Sequence, residues 1–385
     1  MAQRKSFLVL GAGLMGSAVA FDLVRSSPKY SITVADANEE TAATAVKSYK
    51  SKRVTAVQVD VQDTDEVIAL MSEHAVTISA VPFHHNYHLT TAAIKAGSHF
   101  CDLGHSDTIV AQQLDEAVAA EKADICVIAN CGLAPGLANI LAMHAFKQMD
   151  SVESLQMRVG GLPQQPRPPF FYQLVFSVEG LLEEYTTKAK ILRNGKINYV
   201  EPFSDLEELS FPAPFGSLEA FHTGGGTSRL PELLQGKVRL LEYKSIRYKG
   251  HCQKMKALFD AGFGNNEVLT VGGNVVTARE IFLELLKKRL TFNDKDVVLF
   301  SVLANGMLKG KKTKLRYRFI DRYDEETGMT AMMRTTAYPV SIIAQMLLNG
   351  PITDRGAFTA EVVVPGNLLL DELAKRGISI EERFA

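Results

Sequence analysis

The sequence is poor in cysteine and has no excess of either charge. Its four cysteines are Cys101, Cys126, Cys131 and Cys252, and no two of them have the C-x-x-C spacing of a zinc or redox site. A disulfide framework is therefore not expected, and a reducing, cytoplasmic location is favoured. Lysine and arginine number 42 against 43 acidic residues, so no global field draws the chain to nucleic acid or to an anionic membrane.

Sequence patterns of other enzyme classes are also missing. Neither G-x-S-x-G nor a Walker sequence occurs, so hydrolase and kinase chemistry have no support. We find no internal repeat and no low-complexity segment. Hydrophobic residues make up 46% of the chain, which is ordinary globular usage, and 385 residues have room for two or three domains.

A glycine-rich motif follows a short apolar strand near the N-terminus. Residues 6–10 predict the strand, G-x-G-x-x-G follows at Gly11, Gly13 and Gly16, and residues 17–25 predict a helix. In order, the glycines are expected to permit a tight turn, to let the backbone approach a pyrophosphate, and to let the helix lie close to the sheet. The pyrophosphate would rest on the positive end of the helix dipole. This context predicts a dinucleotide-binding turn.

An acidic residue ends the second predicted strand, residues 31–35. This residue, Asp36, lies twenty residues after Gly16, and its carboxylate can accept hydrogen bonds from both ribose hydroxyls but would repel a 2′-phosphate. The next four residues contain no arginine. We therefore predict NAD rather than NADP. A secretory signal or an incidental glycine-rich turn would leave Asp36 unexplained.

Strands and helices keep alternating, as in a doubly wound parallel sheet of an α/β Rossmann domain. Further strands are predicted at 54–59, 76–80, 99–103 and 125–129, with helices at about 39–50, 63–73, 86–96 and 107–122. Ligands bind such sheets beyond the carboxyl ends of the strands. The other candidate cofactor contacts there are Leu14, Met15, Asp60, Ala80, Val81 and Pro82. Asp60 is about equally well explained as a helix cap.

After about residue 150 strands and helices no longer alternate one for one, so an α+β arrangement is expected there. Strands are predicted at 152–159, 172–176, 190–192, 238–241, 243–247, 268–271, 297–303 and 314–320, and helices at about 178–188, 277–290, 338–349 and 367–376. A proline-rich boundary loop is predicted at 160–169. The predicted division is a Rossmann domain over 1–130, a substrate and oligomerisation domain over 131–335, and C-terminal helices over 336–385 that return to the first domain.

Several short sequence segments along the chain resemble those of a known family. They are LGAGLMG at residues 10–16 and residues 101–104, 172–185, 218–228, 246–251 and 333–338. Over about residues 6–380 the chain resembles the saccharopine dehydrogenase-like superfamily, and within it the lysine 6-dehydrogenase branch. One departure is local: His105 and Ser106 stand where the family often has a further glycine.

The resemblance implies NAD-dependent oxidative deamination of the ε-amino group of L-lysine. The aldehyde product, allysine, would cyclise to piperideine-6-carboxylate, with release of ammonia and NADH. The resemblance also implies a homodimer or a larger homo-oligomer, such as a homotetramer. Two alternatives stay open: a saccharopine or carboxynorspermidine reductase or dehydrogenase of the same superfamily, and a non-catalytic NAD-binding sensor or scaffold, because a fold does not prove a reaction.

Amine oxidation needs one group to hold the substrate carboxylate and another to handle the proton of the reacting nitrogen. Arg247 and Arg334 are the carboxylate candidates, because a guanidinium can bind a carboxylate with two hydrogen bonds. Each could equally pair with a neighbouring acid. His222, in the glycine-rich segment 221–228, is the proton-transfer candidate, because imidazole titrates near neutral pH. His251 is a weaker one.

Other polar residues complete the predicted site. Asp102 is a catalytic candidate that could bind the amine or cap the next helix. Tyr172 is another catalytic candidate, as a hydrogen-bonding neighbour of the substrate, although the surrounding phenylalanines also suit a core aromatic. Thr223 and Thr335 are expected to be hydrogen-bonding neighbours of the substrate. We predict no metal site: a solvated or cofactor-lining cluster explains His84, His85 and His88 better than zinc, because no carboxylate or cysteine follows at ligand spacing.

Overall fold

The computed structural model describes residues 5–104, 106–292 and 294–385, so His105 lies outside the described residues. The chain divides into two units. The first unit comprises the residues up to Lys147 and Met333–Ile380, and the second comprises Gln148–Met332 and Glu381–Ala385. The first division falls later than the predicted boundary at residue 130, because nearly all of the helix over Leu137–Gln148 belongs to the first unit.

The strands and helices are numbered in chain order. The strands are β1 Ser6–Leu10, β2 Ser31–Asp36, β3 Val54–Gln58, β4 Val76–Ser79, β5 His99–Asp102, β6 Cys126–Ala129, β7 Ser151–Pro163, β8 Ala189–Arg193, β9 Lys196–Val200, β10 Glu207–Ser210, β11 Ser217–His222, β12 Leu240–Tyr248, β13 Val268–Val271, β14 Asn274–Thr277, β15 Asp296–Leu308, β16 Lys311–Arg322, β17 Gly356–Thr359 and β18 Glu381–Phe384. The helices are α1 Leu14–Ser26, α2 Glu39–Ser48, α3 Thr64–Ser72, α4 Asn86–Ala96, α5 Asp107–Asp115, α6 Ala117–Lys122, α7 Leu137–Gln148, α8 Val178–Thr186, α9 Leu230–Leu234, α10 His251–Asp260, α11 Ala278–Leu290, α12 Ala331–Asn349, α13 Ala360–Val363 and α14 Gly366–Lys375.

The first unit contains a seven-stranded parallel sheet in the order β17-β6-β5-β4-β1-β2-β3. β1, β4 and β6 are buried along their whole length, as expected for central strands covered on both faces. The α/β fold and its doubly wound sheet are therefore confirmed. The prediction missed β17, a short strand from the C-terminal segment that pairs with β6.

The predicted return of the C-terminal helices to the first unit is also confirmed. Asp22 on α1 accepts a hydrogen bond from the Ser341 hydroxyl of α12 at 2.6 Å and one from Arg376 Nε at 2.7 Å. Arg376 directly follows α14. These buried contacts join chain segments that are more than 300 residues apart.

The second unit has a mixed nine-stranded sheet, whose main path is β10-β11-β12-β7-β15-β16-β18. Three predictions here were wrong. β7 continues through the predicted boundary loop to Pro163, and no strand forms at 172–176, where the Leu174 amide instead donates to the carbonyl of Leu290. The strands predicted at 238–241 and 243–247 are one strand, β12.

Side chains of β12 alternate between the two faces of this sheet. Tyr243, Ser245 and Arg247 share one face with Phe221 of β11, and this phenylalanine packs in a core cluster with residues of α8, α10 and α11. We call it the helix face. Lys244 and Glu242 project from the opposite face, together with His222, because the register pairs His222 with Lys244.

None of the helices in the part of the chain that the structure describes combines the length and the apolar character needed to cross a membrane.

Candidate active site

The glycine turn of the first unit lies between β1 and α1. Gly11 has a φ of +93°, and a Cβ there would lie 2.8 Å from the carbonyl oxygen of Ala80. A Cβ on Gly16 would lie 1.8 Å from the carbonyl oxygen of Gly11, so the helix approaches the turn too closely for a side chain. A Cβ on Gly13, in contrast, meets nothing within 4 Å. Two of the glycines thus serve packing, and the third faces open space.

The first turn of α1 is free to receive an anion. Gly13 is its N-cap residue and provides no side-chain hydrogen bond, and the first turn carries no acidic residue. Leu14 is 66% exposed. Backbone N–H groups and the helix dipole at such an end favour a bound phosphate.

Asp36 lies beside this turn at the end of β2. Its Oδ2 accepts a hydrogen bond from the amide of Ala12 at 2.7 Å, and its Oδ1 accepts one from the amide of Asn38 at 2.9 Å. Each carboxylate oxygen can accept a further bond. The structure therefore brings together the glycines, Asp36 and Ala80, as the sequence predicts.

Other predicted cofactor contacts lie at the carboxyl edge of the same sheet. Val81 and Pro82 follow β4, and a Cβ on Gly11 would lie 3.2 Å from the Val81 side chain. Asp60 is exposed and accepts a hydrogen bond from the amide of Gln62 at 2.9 Å. The cap of α3 is Asp63, so the alternative role of Asp60 as a helix cap was wrong.

Two of the histidines after β4 are in ring contact, with their planes tilted by 47°. The ring centroids of His84 and His85 are 4.1 Å apart. Burial lowers the pKa of His85, and the neighbouring histidines His84 and His88 lower it further. Nowhere in residues 5–104, 106–292 and 294–385 do three or more His, Cys, Asp or Glu side chains gather as metal ligands.

Asp102 is fully buried at the end of β5. Its carboxylate accepts hydrogen bonds from the amides of Gly104 at 2.7 Å and Asn130 at 3.2 Å, and from the Gln113 side chain at 2.7 Å. Burial raises the pKa of Asp102, and these hydrogen bonds oppose the shift. These contacts hold together the loops that follow β5 and β6, which is a positioning role.

The helix face of the second unit carries a polar cluster. Its members are Tyr172, Glu184, Tyr185, Arg247 and His251, and we call it the arginine cluster. Arg247 donates from Nε to the Tyr185 hydroxyl at 2.9 Å, its Nη2 lies 3.3 Å from Glu184 Oε2, and its Cζ lies 4.7 Å from the centre of the Tyr172 ring. The Arg247 guanidinium therefore has a carboxyl partner and a hydroxyl partner within the cluster.

The hydrogen bonds of the cluster continue to the backbone. His251 Nδ1 lies 2.8 Å from the carbonyl oxygen of Phe170, and Nε2 lies 2.9 Å from the Tyr185 hydroxyl. Burial, aided by Arg247, lowers the pKa of His251 to about 3, so its ring is neutral at pH 7. We assign the proton to Nδ1, which donates to Phe170, while Nε2 accepts from Tyr185.

Two groups in the cluster are available for chemistry. The Tyr172 hydroxyl is buried and has no hydrogen-bond partner among the residues that the structure describes. An unpaired buried polar group is costly unless a ligand or water satisfies it. Burial raises the pKa of Glu184 to about 7, although Arg247 opposes the shift, so this carboxyl titrates near neutral pH.

The predicted substrate residues are divided between the two units. Thr223 hydrogen-bonds to Ser245 at 2.8 Å, and Ser245 shares the helix face with Arg247. Arg334 and Thr335 lie instead on α12 in the first unit, where Arg334 donates to the carbonyl oxygen of Arg376 at 3.5 Å.

His222 lies on the face of the sheet opposite to Arg247. Its Nε2 is 3.3 Å from Glu242, and its Nδ1 is 3.1 Å from the Ser204 hydroxyl. Arg158 pairs with the same Glu242. Burial opposes ionisation of Glu242, but the bonds from His222 and Arg158 lower its pKa. Both ring nitrogens of His222 thus have partners in a buried ionic network.

Glu184 and Tyr185 are not among the site residues that the sequence predicts. Tyr185 lies four residues after the buried Leu181 and on the same face of α8, so helical periodicity could have placed it in the core. Nothing in the sequence pairs Glu184 with Arg247, because they are 63 positions apart.

Comparisons with known proteins identify the family of this chain. Residues 7–128 match the model of the saccharopine dehydrogenase NADP binding domain, and residues 132–378 match that of the saccharopine dehydrogenase C-terminal domain. The saccharopine dehydrogenase (NADP(+), L-glutamate-forming) of Schizosaccharomyces pombe is 24% identical over 98% of this chain and 99% of that protein. The mitochondrial alpha-aminoadipic semialdehyde synthase of Bos taurus is 24% identical over 98% of this chain, which spans 48% of that protein.

A solved structure has the same fold. The apo saccharopine dehydrogenase (L-Glu forming) from Saccharomyces cerevisiae superposes with a TM-score of 0.81 and 19% sequence identity, covering 99% of this chain and 100% of that one. Fold and glycine turn define an oxidoreductase with a nicotinamide cofactor-binding Rossmann domain. Since the two family models together span most of the sequence, the chain belongs to the saccharopine dehydrogenase family, whose members act on amino acids.

Proposed function

We propose that this chain is an NAD-dependent L-lysine 6-dehydrogenase. One lysine, one NAD⁺ and one water would give allysine, NADH, an ammonium ion and a proton, and the aldehyde would then close to piperideine-6-carboxylate. The observation that carries the choice of an amine substrate is the arginine cluster, because Glu184, a carboxyl group with a pKa of about 7, lies there beside Arg247. Such a carboxyl group can accept the proton of a substrate ammonium, whereas in its ionised form it would repel a second substrate carboxylate.

The first unit fits the cofactor. The open position at Gly13 and the uncapped start of α1 would receive the pyrophosphate, with Leu14 and Met15 in that first turn. Asp36 would bind the adenosine ribose. Bound NAD⁺ supplies a hydride acceptor. The protein's own part is to hold and orient the dinucleotide at the carboxyl edge of the sheet.

The choice of NAD over NADP depends on Asp36. The printed name of the Schizosaccharomyces pombe relative specifies NADP(+), whereas this chain places a carboxylate beside the glycine turn and follows it with Ala37, Asn38, Glu39 and Glu40. A 2′-phosphate would meet repulsion there, and none of these four residues is a cation that could offset it.

The double variant Asp36→Ser, Ala37→Arg tests this assignment. We expect the ratio of Kd for NADP to Kd for NAD to fall at least about tenfold, since one charge contact is commonly worth about 1–2 kcal/mol. Fluorescence titration of the reduced cofactors measures it, and Ala37→Arg alone is the control. An unchanged ratio in the double variant would refute the role of Asp36.

In the second unit, Glu184 is proposed to take the proton that the substrate ammonium must lose before oxidation. Its pKa of about 7 matches that task near neutral pH. Tyr172, whose hydroxyl lacks a partner in the described part of the chain, would donate a hydrogen bond to the substrate. Arg247 would orient both groups, and Thr223 would lie beside the substrate. His222 and Asp102 then act as positioning residues, because their own polar partners already engage them.

Saccharopine oxidation is the second candidate, because the Schizosaccharomyces pombe relative is named a saccharopine dehydrogenase. The proposal is tested by incubating the protein with NAD⁺ and, separately, L-lysine, saccharopine and L-glutamate, while recording NADH absorbance. We expect NADH with lysine. If saccharopine alone supports NADH formation, the second candidate replaces the first.

A further inference from the structure

A surface cavity lies at the amino edge of the parallel sheet in the first unit. Its volume is about 420 Å³, which is within the range of small-molecule sites. We call it the amino-edge cavity; its walls include Lys5, Tyr30 and Arg355, which directly precede β1, β2 and β17, and the end of α12. The predicted cofactor contacts lie at the opposite, carboxyl edge of this sheet. The amino-edge cavity is therefore separate from the proposed cofactor site.

Two basic side chains, those of Lys5 and Arg355, line this cavity. The strands that they precede are four places apart in the sheet, which is about 19 Å at the usual spacing of ~4.8 Å between strands. The two cations therefore approach the cavity from opposite ends. Within the described residues, no aspartate or glutamate lines the cavity. Two separated cations without acidic neighbours favour a ligand that has two anionic groups.

Hydrogen bonds hold the Arg355 guanidinium in place. Its Nε donates to Asp124 at 2.9 Å, and its Nη1 donates to the carbonyl oxygens of Thr353 and Asp354, each at 2.9 Å. The Asp124 side chain is 87% exposed, so water screens its charge and the ion pair offsets little of the positive charge of Arg355. None of these bonds uses Nη2, which can therefore donate to a ligand carboxylate.

The end of α12 supplies hydrogen-bond acceptors to the same cavity, because its residues 347–349 are part of the cavity wall. The last carbonyl oxygens of a helix have no donor within the helix. Pro351 has no N–H to offer them, and the amides of Gly350 and Ile352 both donate to the carbonyl oxygen of Met346 instead. Carbonyl oxygens at the negative end of the helix dipole suit an ammonium group.

The Tyr30 side chain joins the start of β2 to the end of α12. Its hydroxyl donates to the Asn349 side chain, and its ring contacts the Phe7 ring edge-on, with the centroids 5.7 Å apart. Arg53 Nη1 donates to the Tyr30 carbonyl oxygen at 2.6 Å. These contacts build this wall of the cavity without a ligand, so little ordering remains to be done on binding.

We propose that the amino-edge cavity binds an acidic amino acid. One ligand carboxylate pairs with Lys5 and the other with Arg355, while the ammonium group donates to the carbonyl oxygens at the end of α12. A dicarboxylate without an amine would leave those carbonyl oxygens unused, and a neutral amino acid would leave one cation without a partner. The cavity lies in the first unit and the arginine cluster in the second, so the proposal does not depend on the substrate of the enzyme.

Isothermal titration calorimetry of the full chain tests the proposal. L-Aspartate is the first probe, because it is not among the candidate substrates, and L-glutamate, which is one methylene longer, is the second. We expect at least one of them to bind at one site per chain with a Kd of about 1 mM or lower. Succinate lacks the ammonium group and L-asparagine lacks the second carboxylate, so each should bind at least about tenfold more weakly than L-aspartate.

Substitutions in the wall of the cavity locate the bound acid. Lys5→Gln and Arg355→Gln should each raise its Kd at least about fivefold, because each removes one carboxylate partner. Asp124→Asn is the matched control for Arg355→Gln, since it breaks the same ion pair but keeps the guanidinium. Lys47→Gln, at an exposed lysine of α2 outside the cavity, is the control for Lys5→Gln. Neither control should weaken binding, and thermal unfolding confirms that each variant folds.

Three results would overturn the proposal. The first is that neither acidic amino acid saturates a site below about 10 mM. The second is that succinate binds as tightly as L-aspartate, which would make the cavity a simple anion site. The third is binding that Lys5→Gln and Arg355→Gln both leave unchanged, which would place the acid elsewhere on the chain. Each of these results is independent of whether the enzyme oxidises lysine or saccharopine.

Discussion

Glu184 shows how the surroundings of one residue set its chemistry. The carboxyl lies 3.3 Å from the Arg247 guanidinium and its side chain is 16% exposed. Removal from water outweighs the attraction of the arginine, so burial raises the pKa from 4.5 to about 7. The result is a carboxyl group that is partly protonated at neutral pH, next to a permanent cation.

Glu184→Gln should reveal this shift as a pH-dependent change in stability. The folded chain binds the Glu184 proton more tightly than the unfolded chain, so its contribution to stability is present below about pH 4.5 and is lost as the pH rises through 7. Between pH 5 and pH 8 we expect the free energy of unfolding of the wild type, relative to Glu184→Gln, to fall by on the order of 2 kcal/mol, since one pKa unit is about 1.4 kcal/mol.

Urea unfolding at the two pH values measures this difference. Glu183→Gln is the matched control, because Glu183 is the preceding residue and its side chain is 43% exposed. An equal difference between wild type and Glu184→Gln at both pH values would contradict the assigned pKa.

At the scale of single elements, α1 shows two kinds of glycine. Gly16 allows the helix to touch the turn at Gly11, whereas Gly13 faces open space at the helix start. The motif therefore combines a packing requirement with a ligand requirement, and substitutions can separate the two.

Gly16→Ala and Gly13→Ala should behave differently. Gly16→Ala overpacks the contact with Gly11 and is expected to cost about 1–3 kcal/mol of stability. Gly13→Ala should cost at most about 1 kcal/mol, as for a lost N-cap, but should weaken NAD binding at least about tenfold. Thermal unfolding and cofactor titration distinguish them. If Gly13→Ala binds NAD as well as the wild type, the phosphate is not held at this turn.

The elements that the sequence predicts well are those with local signals. β1 and β2 are predicted to within one residue, because each is a short apolar run next to a glycine or acidic boundary. The sequence does not reveal β17, since its four residues contain no long apolar run. They form a strand because they pair with β6. The residues 172–176 look like a strand but pack as an aromatic loop.

The residues of the candidate site also differ in whether a local sequence signal identifies them. The glycines and Asp36 lie close together in the chain, and the structure brings them together as predicted. His222 and Arg247 belong to neighbouring strands, and whether they share a face depends on the register between β11 and β12. That register is set by long-range packing, so sequence spacing could not show that His222 and Arg247 lie on opposite faces of the sheet.

At the scale of the whole molecule, one buried ion pair joins the N- and C-terminal parts of the first unit. Asp22 and Arg376 have side chains only 5% and 8% exposed, and Ser341 also donates to Asp22. Removing one partner of such a pair leaves a buried charge without compensation.

Asp22→Ala should therefore destabilise the chain by about 3–5 kcal/mol. Asp260→Ala is the control, because the Lys256–Asp260 pair is exposed on α10 and should contribute less than about 1 kcal/mol. Chemical denaturation of both variants gives the comparison. Equal losses of stability would show that the buried pair has no special role.

The position of β17 also bears on how the protein is made. On the ribosome, β6 emerges long before Gly356–Thr359, so its outer edge stays bare until β17 has also been translated. Nascent chains at that stage carry an uncovered apolar strand, which is the kind of segment that molecular chaperones protect.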